Sequence, residues 1–560
     1  MRQFASGAKV VWHHILRHTG VGLVCAVAYF DPGNWGVDLQ AGSTYGYKLL
    51  FIVLLSGLFA LFLQGLACKL GTVTGMDLAS HCRLLLYHRT RRPKLIRWLL
   101  LYPLYAFSEV AIIATDLAEL LGSAIALNIL FPRLPLWAGV LLTAADVFVF
   151  LIFGDPLRGK PVKVFELVIS GLVLVVLICM CIIISKITVH WGDAFLGFVP
   201  SRTIFQAGGL YTSVGILGAT VMPHSIFLGS ALATQDRADV LPPDEKEDIK
   251  TIPQSSEPGS SCCSEVPRPA DNQAPPKVDQ AIEGPPCSTW RSFWLALRGS
   301  RYSVDYPDEL RDHSERENNS LTFIQAHLRH GIVNLAVSLL GLAVVINSLI
   351  LILAAAVSRN NSQATDNLFA AADLISSTVG HGAAIVFALA LLCAGQSASL
   401  VATVAGQIVS EGFLRWHVSP VLRRLLTRLI GLVPSMVVAT AVGRNGVDTM
   451  LVASQVALSI VLPFVIGPLI LLTSSKVVMR VRRTPIPAQD KKSDTMSDAN
   501  LNSPPRASTT VQDAEHGATG EFIDFSNSWL TIVVAVLIWT VVVVANCYVL
   551  VTLILSNGSA

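Results

Sequence analysis

The chain has 560 residues, of which 52% are hydrophobic and 14% charged, and 41 Lys and Arg nearly balance 38 Asp and Glu for a net charge of +3. A soluble globular domain carries about a quarter charged residues, so that class is excluded. No basic excess points to nucleic acid, and the balance is that of a chain dissolved in a bilayer.

In chain order, apolar stretches near residues 15–46, 48–68, 98–130, 135–153, 162–185, 206–235, 321–357, 380–410, 420–443, 447–474 and 528–555 each approach the roughly 20 residues that a spanning helix needs. The first is interrupted by Asp31-Pro32-Gly33-Asn34. Pro lacks a backbone donor and Gly weakens helical order, so the helix should unwind there, exposing carbonyls such as that of Ala28. Unwound backbone at membrane depth is tolerated only inside protein or beside a watery cavity. A turn between two short helices would explain this break alone, but Met222-Pro223-His224 interrupts the sixth stretch in the same way and frees the Ala219 carbonyl. Paired interruptions in two halves of a chain point to the binding site of an inverted-repeat transporter.

The residue types at the breaks suggest a cation. The Asp31 carboxylate, the Asn34 amide and freed carbonyls are oxygen donors, whereas the Met222 thioether suits softer ions. The mixture favours a first-row transition metal over calcium or magnesium. Met222 by itself would be a packing residue; its place beside a Pro-His break reverses that reading. Gln455, early in the tenth stretch, is either a helix-to-helix hydrogen bond or a further oxygen donor. In the third stretch Glu109, Asp116 and Glu119 share a helical face within apolar surroundings, and buried acids of this kind mark ion or proton routes. Arg423 and Arg424, at the mouth of the ninth stretch, are either counter-charges or ordinary cytoplasmic positive charges. His224 can bind metal, relay protons or hydrogen-bond the broken backbone, and the relay suits its titration best.

Basic residues gather before the first span, around the second and fourth connections and after the tenth span, which places the N-terminus in the cytoplasm. The expected organisation is a cytoplasmic segment 1–14, a first membrane repeat 15–186, an extracytoplasmic connection 187–204, and a second repeat 205–474 containing a polar linker 236–320. A second polar linker 475–527 precedes an eleventh helix within 528–560. The linkers are too polar to form a packed core, and serve as plain tethers or as docking segments for ubiquitin or trafficking machinery. No nucleophile-base set or nucleotide loop argues for an enzyme.

These motifs resemble the Nramp family of proton-coupled divalent metal transporters over residues of about 15–235 and 325–475. The resemblance rests on Asp31-Pro32-Gly33-Asn34, Met222-Pro223-His224 and Ala114-Thr115-Asp116-Leu117-Ala118-Glu119. Gly395-Gln396-Ser397, Ala405-Gly406-Gln407 and Glu411-Gly412-Phe413 extend it. It implies an all-α membrane protein of LeuT-like 5+5 inverted repeat with broken first and sixth helices and about eleven spans. It implies metal ligands Asp31, Asn34, Met222 and the Ala28 and Ala219 carbonyls, joined in some states by Gln455. The proton route would run through Asp116, Glu119, His224, Glu109, Arg423 and Arg424. The wording from Val221 to Ser230 is similar to the fungal manganese branch, and Ser225 and Gly229 depart from the Asn and second His of many members. The expected activity is proton-driven import of manganese, with iron, cobalt and cadmium as further substrates and no resident cofactor. The expected site is the plasma membrane or an endosomal or vacuolar membrane. A signalling receptor on a transporter-like body is the alternative; it would need neither the ligand set nor an acidic line.

Overall fold

The computed structural model describes residues 20–89, 91–146, 162–236, 312–313, 316–360, 367–415, 420–483 and 522–557. The expected segment 1–14, the middle of both polar linkers and the end of the fourth span lie outside the described residues. Among those described, nine stretches are long and apolar enough to cross a membrane. The first of them, Pro32–Thr74, joins the second half of the expected first span to the second span. The expected fourth is described as a helix over Leu136–Thr143 and a 3-10 turn over Ala144–Asp146.

Both breaks are built alike. The first helix runs Gly20–Val27 and resumes as Pro32–Tyr45; the other runs Ala207–Thr220 and resumes as Pro223–Leu232. In each, the proline opens the second half-helix, where its missing N–H would have had no partner. The unwound residues therefore precede the proline, Ala28 to Asp31 in the first break and Val221 and Met222 in the second, and Asp31 caps the new helix.

The Tyr102–Leu130 helix occupies the centre of the bundle, packed against His381–Leu414, Arg444–Ser474 and Pro420–Val437. Pro32–Tyr45 lies against Val344–Asn360 and Ala207–Thr220. Small residues permit these approaches: a Cβ on Gly122 would run into the Pro32 ring, and one on Gly395 into Ser123 Oγ. That gives the Gly395-Gln396-Ser397 motif a packing role beside the first break.

The all-α expectation needs one amendment. Arg480–Arg482 and Phe522–Asp524 pair as a short antiparallel ribbon, with Val481 opposite Ile523. Residues that composition places in the polar linkers are also fastened to the body. Asn319 N–H donates to Val73 O (3.0 Å) and its amide to Thr72 O (2.8 Å), while Arg316 reaches Gly75 O (3.0 Å). Asn318 Nδ2 donates to the carbonyls of Val478 (2.7 Å) and Arg480 (2.8 Å). Lys69 Nζ donates to Asn527 Oδ1 at 3.0 Å. His81 Nδ1 lies 3.0 Å from His313 Nε2, and its Nε2 lies 2.8 Å from Thr74 Oγ1.

Candidate metal centre

Unwinding four residues leaves backbone carbonyls that need partners. Asn347 Nδ2 donates to Tyr29 O (2.7 Å) and Trp35 Nε1 to Phe30 O (3.2 Å), which holds the open turn in place. Beyond it, Asp31 Oδ1 accepts from the Asn34 N–H (2.8 Å) and from Asn34 Nδ2 (2.9 Å). Asn34 Nδ2 also donates to Ala219 O at 2.9 Å, so the two breaks meet at this amide. Ala28, Asp31, Asn34, Ala219 and Met222 are all buried. Met222 is the last residue before the second half-helix, three residues beyond Ala219.

Gln455 belongs to the same cluster. Its amide lies so close to Gly33 that any Cβ there would overlap it, and its own carbonyl sits against Gly218 of the other break. Among the described residues, Asp31 Oδ2 and Gln455 Oε1 have no hydrogen-bond partner. No three His, Cys, Asp or Glu side chains among them converge as a metal cluster. A cation held here therefore has to draw on amide, carbonyl and thioether donors beside the Asp31 carboxylate.

The second polar group lies on the central helix. His224 Nδ1 sits 3.3 Å from Thr115 Oγ1, which ties the second break to the residue before Asp116. Glu109 pairs with Arg423 at 2.7 Å, as a counter-charge. Asp116 and Glu119 face a residue that sequence reasoning passed over: Arg428 approaches Asp116 Oδ1 at 3.5 Å and Glu119 Oε2 at 3.8 Å, and it donates to Ser399 Oγ. Arg428, Asp116 and Glu119 are fully buried. An arginine well inside an apolar stretch was the available signal, hidden by its nearness to Arg423 and Arg424. The Arg424 side chain lies outside the described residues. A small crevice lined by Asp116, Thr403, Arg423 and Thr427 links the two ion-paired groups.

A third network crosses the breaks. Tyr29 donates from its hydroxyl to Gln64 Oε1 (3.2 Å), and Gln64 Nε2 donates to Ser225 O (3.2 Å). Ser225 Oγ lies 2.8 Å from both the Tyr29 hydroxyl and the Met222 carbonyl. A Cβ on Gly229 would overlap Gln64 Nε2. Gln64 thus fills the space that a side chain at position 229 would claim.

The family model for natural resistance-associated macrophage protein-like sequences matches residues 22–254 and 311–488. The chain belongs to the Nramp family. Nramp proteins are transporters, so the chain is a multi-pass membrane transporter and not an enzyme. It is 38% identical over 541 residues to the manganese transporter pdt1 of Schizosaccharomyces pombe, covering 95% of this chain and 84% of that one. It is 36% identical over 542 residues to the iron transporter SMF3 of Saccharomyces cerevisiae, covering 96% of each. Among solved structures, the manganese transporter of Eremococcus coleocola superposes with a TM-score of 0.64 at 25% identity, covering 96% of this chain and 86% of that one. The Nramp fold is LeuT-like, and the paired breaks fall in the first and sixth helices of its inverted repeat.

Proposed function

We propose that this Nramp protein is a proton-coupled importer of divalent transition metals, chiefly manganese, with iron, cobalt and cadmium as further substrates. The reading rests on one observation: Asp31, Asn34 and the Ala219 carbonyl converge at 2.9 Å contacts between two broken helices. Asp31, Asn34, Met222, the Ala28 and Ala219 carbonyls and Gln455 would hold the ion. They exchange its hydration shell for oxygens and one sulfur, and the half-helices beside them carry it between two access states as one bundle rocks against the other. Manganese and iron follow from the names of the relatives, and sulfur among the donors favours such ions over calcium.

Protons would travel by the separate line of His224, Asp116, Glu119, Glu109, Arg423 and Arg424, to which Arg428 is added. The Thr115–His224 contact supports communication between the two lines. The protein would have eleven spans and a cytoplasmic N-terminus and carry the ion toward the cytosol, at the plasma membrane or an endosomal or vacuolar membrane.

The test is uptake into proteoliposomes with manganese and internal pH recorded together. Wild type should accumulate manganese and acidify the lumen, and Asp31→Asn, correctly inserted, should do neither. Normal uptake by Asp31→Asn would remove the metal site. Manganese uptake by wild type with no proton entry would remove the coupling.

A further inference from the structure

The connection that leads into the central helix carries charge of one sign. From Leu78 to Ser108 the sequence holds no Asp or Glu, and its Lys and Arg are Arg83, Arg89, Arg91, Arg92, Lys94 and Arg97. Two of these are spent on packing. Arg83 and Arg97 lie over the Tyr87 ring at 4.1 and 3.6 Å, and donate to Phe413 O (2.7 Å) and Tyr87 O (2.8 Å). Arg91, Arg92 and Lys94 are exposed, and among the described residues their side chains make no ion pair or hydrogen bond. Arg92 is held at φ +54°, directly before Pro93, in a left-handed conformation that Gly or Asn takes more readily.

An apolar surface follows on the same face. Helical backbone runs from Pro93 to Leu130 through Arg97–Leu101. Lys94, Leu95, Trp98 and Leu99 are spaced by three and four residues and so lie together on it. Leu95, Trp98 and Leu99 are 51%, 72% and 63% exposed, and Trp98 stands edge-on to Tyr102 with ring centres 5.2 Å apart. The 38 residues of this helical run rise about 57 Å, against about 30 Å of hydrocarbon and about 40–45 Å with the headgroups. The basic turn therefore reaches headgroup depth, and the Trp98 turn lies just inside it, where tryptophan is favoured. Charges that only orient a chain need no apolar face beside them.

We propose that this turn binds an anionic phospholipid of the leaflet it faces, the cytoplasmic one in the orientation proposed above. The headgroup would sit on Arg91, Arg92 and Lys94, and the acyl chains along Leu95, Trp98 and Leu99. Charge selects the occupant: a zwitterionic lipid brings a cation of its own to three cations, whereas an anionic one does not. The site is separate from the paired breaks, so it stands or falls independently of the metal reading.

The experiment uses full-length protein reconstituted into phosphatidylcholine vesicles in which about a fifth of the lipid carries brominated acyl chains, either as phosphatidylserine or as phosphatidylcholine. Bromine quenches tryptophan on contact, and subtracting Trp98→Phe isolates the Trp98 signal. Free phosphate carries no bromine and cannot produce it. Brominated phosphatidylserine should quench Trp98 at least about twofold more than brominated phosphatidylcholine, and the excess should shrink as salt rises from about 0.05 to 0.5 M. Arg91→Gln/Arg92→Gln/Lys94→Gln should abolish the excess, while Arg91→Lys/Arg92→Lys should retain it. Equal quenching of Trp98 by the two lipids in wild type would overturn the inference whatever the variants do. An excess that survives in the triple Gln variant would overturn it too. Should that variant fail to insert, Lys94→Gln alone has to reduce the excess, and an unchanged excess there would count against the site.

Discussion

Asp31 and Met222 each stand immediately before a proline that opens a half-helix, so the chain places a carboxylate and a thioether at equivalent points of two repeats. Both were legible because Pro within an apolar run is a strong local signal. The Asn34 amide was legible as a residue but not in its orientation, since its nitrogen faces both Asp31 and Ala219 and a sequence carries no rotamer. Met222 is the residue on which selectivity should turn. Replacing it with Ala removes the soft donor and leaves room for water, which calcium tolerates better than manganese does. We predict that Met222→Ala retains some manganese uptake, binds cadmium at least tenfold more weakly and becomes sensitive to calcium, about 1.4 kcal/mol per tenfold change. Manganese uptake across rising calcium, with cadmium competition alongside, checks this. Unchanged calcium and cadmium behaviour would reduce Met222 to a packing residue.

Among the elements, the Pro420–Val437 helix is where sequence reasoning fell short. Its arginines at 423 and 424 read either as counter-charges or as a cytoplasmic cluster, and Arg428, one turn further in, carried no reading of its own. Arg428 is 3% exposed and faces two acids of the central helix. Removing one side of a buried ionic group costs about 3–5 kcal/mol. Arg428→Met should therefore lower the thermal unfolding temperature sharply, whereas Arg428→Lys should recover part of the loss; a variant as stable as wild type would mean that Asp116 and Glu119 do not depend on it. The Gly229 departure, by contrast, was visible in sequence while its cause was not, since Gln64 lies on a different helix. Gly229→Leu should destabilise by about 1–3 kcal/mol through overpacking against Gln64, and Gln64→Ala should relieve it. A double-mutant cycle with a coupling below about 0.5 kcal/mol would show that the two positions do not share that space.

For the molecule as a whole, the nine long apolar helices of the described residues were readable from apolar length, while the fastening of residues 316–320 and 522–527 was not. Three-residue strands that pair across residues 484–521 leave no periodic signal, and the contacts from Asn318, Asn319 and Lys69 are isolated hydrogen bonds between distant segments. This fastening should respond to pH. Burial, then His313 and Arg316, hold the His81 ring well below the usual histidine range; burial, with Arg316 and Arg89, likewise lowers His313 against the opposing pull of Asp312. Lowered values mean that the packed form prefers neutral rings. Its contribution is present above the ordinary histidine value of about 6.5 and is lost as pH falls below it. Hydrogen exchange at the Asn319 amide, expressed as a protection factor, should drop between pH 7.5 and 5.5 in wild type and change less in His81→Asn. Equal protection at both pH values in wild type would remove the histidine pair as the cause.

The ribbon that joins Arg482 to Phe522 has a practical consequence for protein engineering. Because Arg482 and Phe522 are held side by side, the length between them puts little load on the transporter: each doubling of a closed loop costs only about 0.6 kcal/mol. A compact fluorescent protein whose own ends lie close together can be inserted there, reporting on folding and trafficking from inside the chain rather than from a terminus.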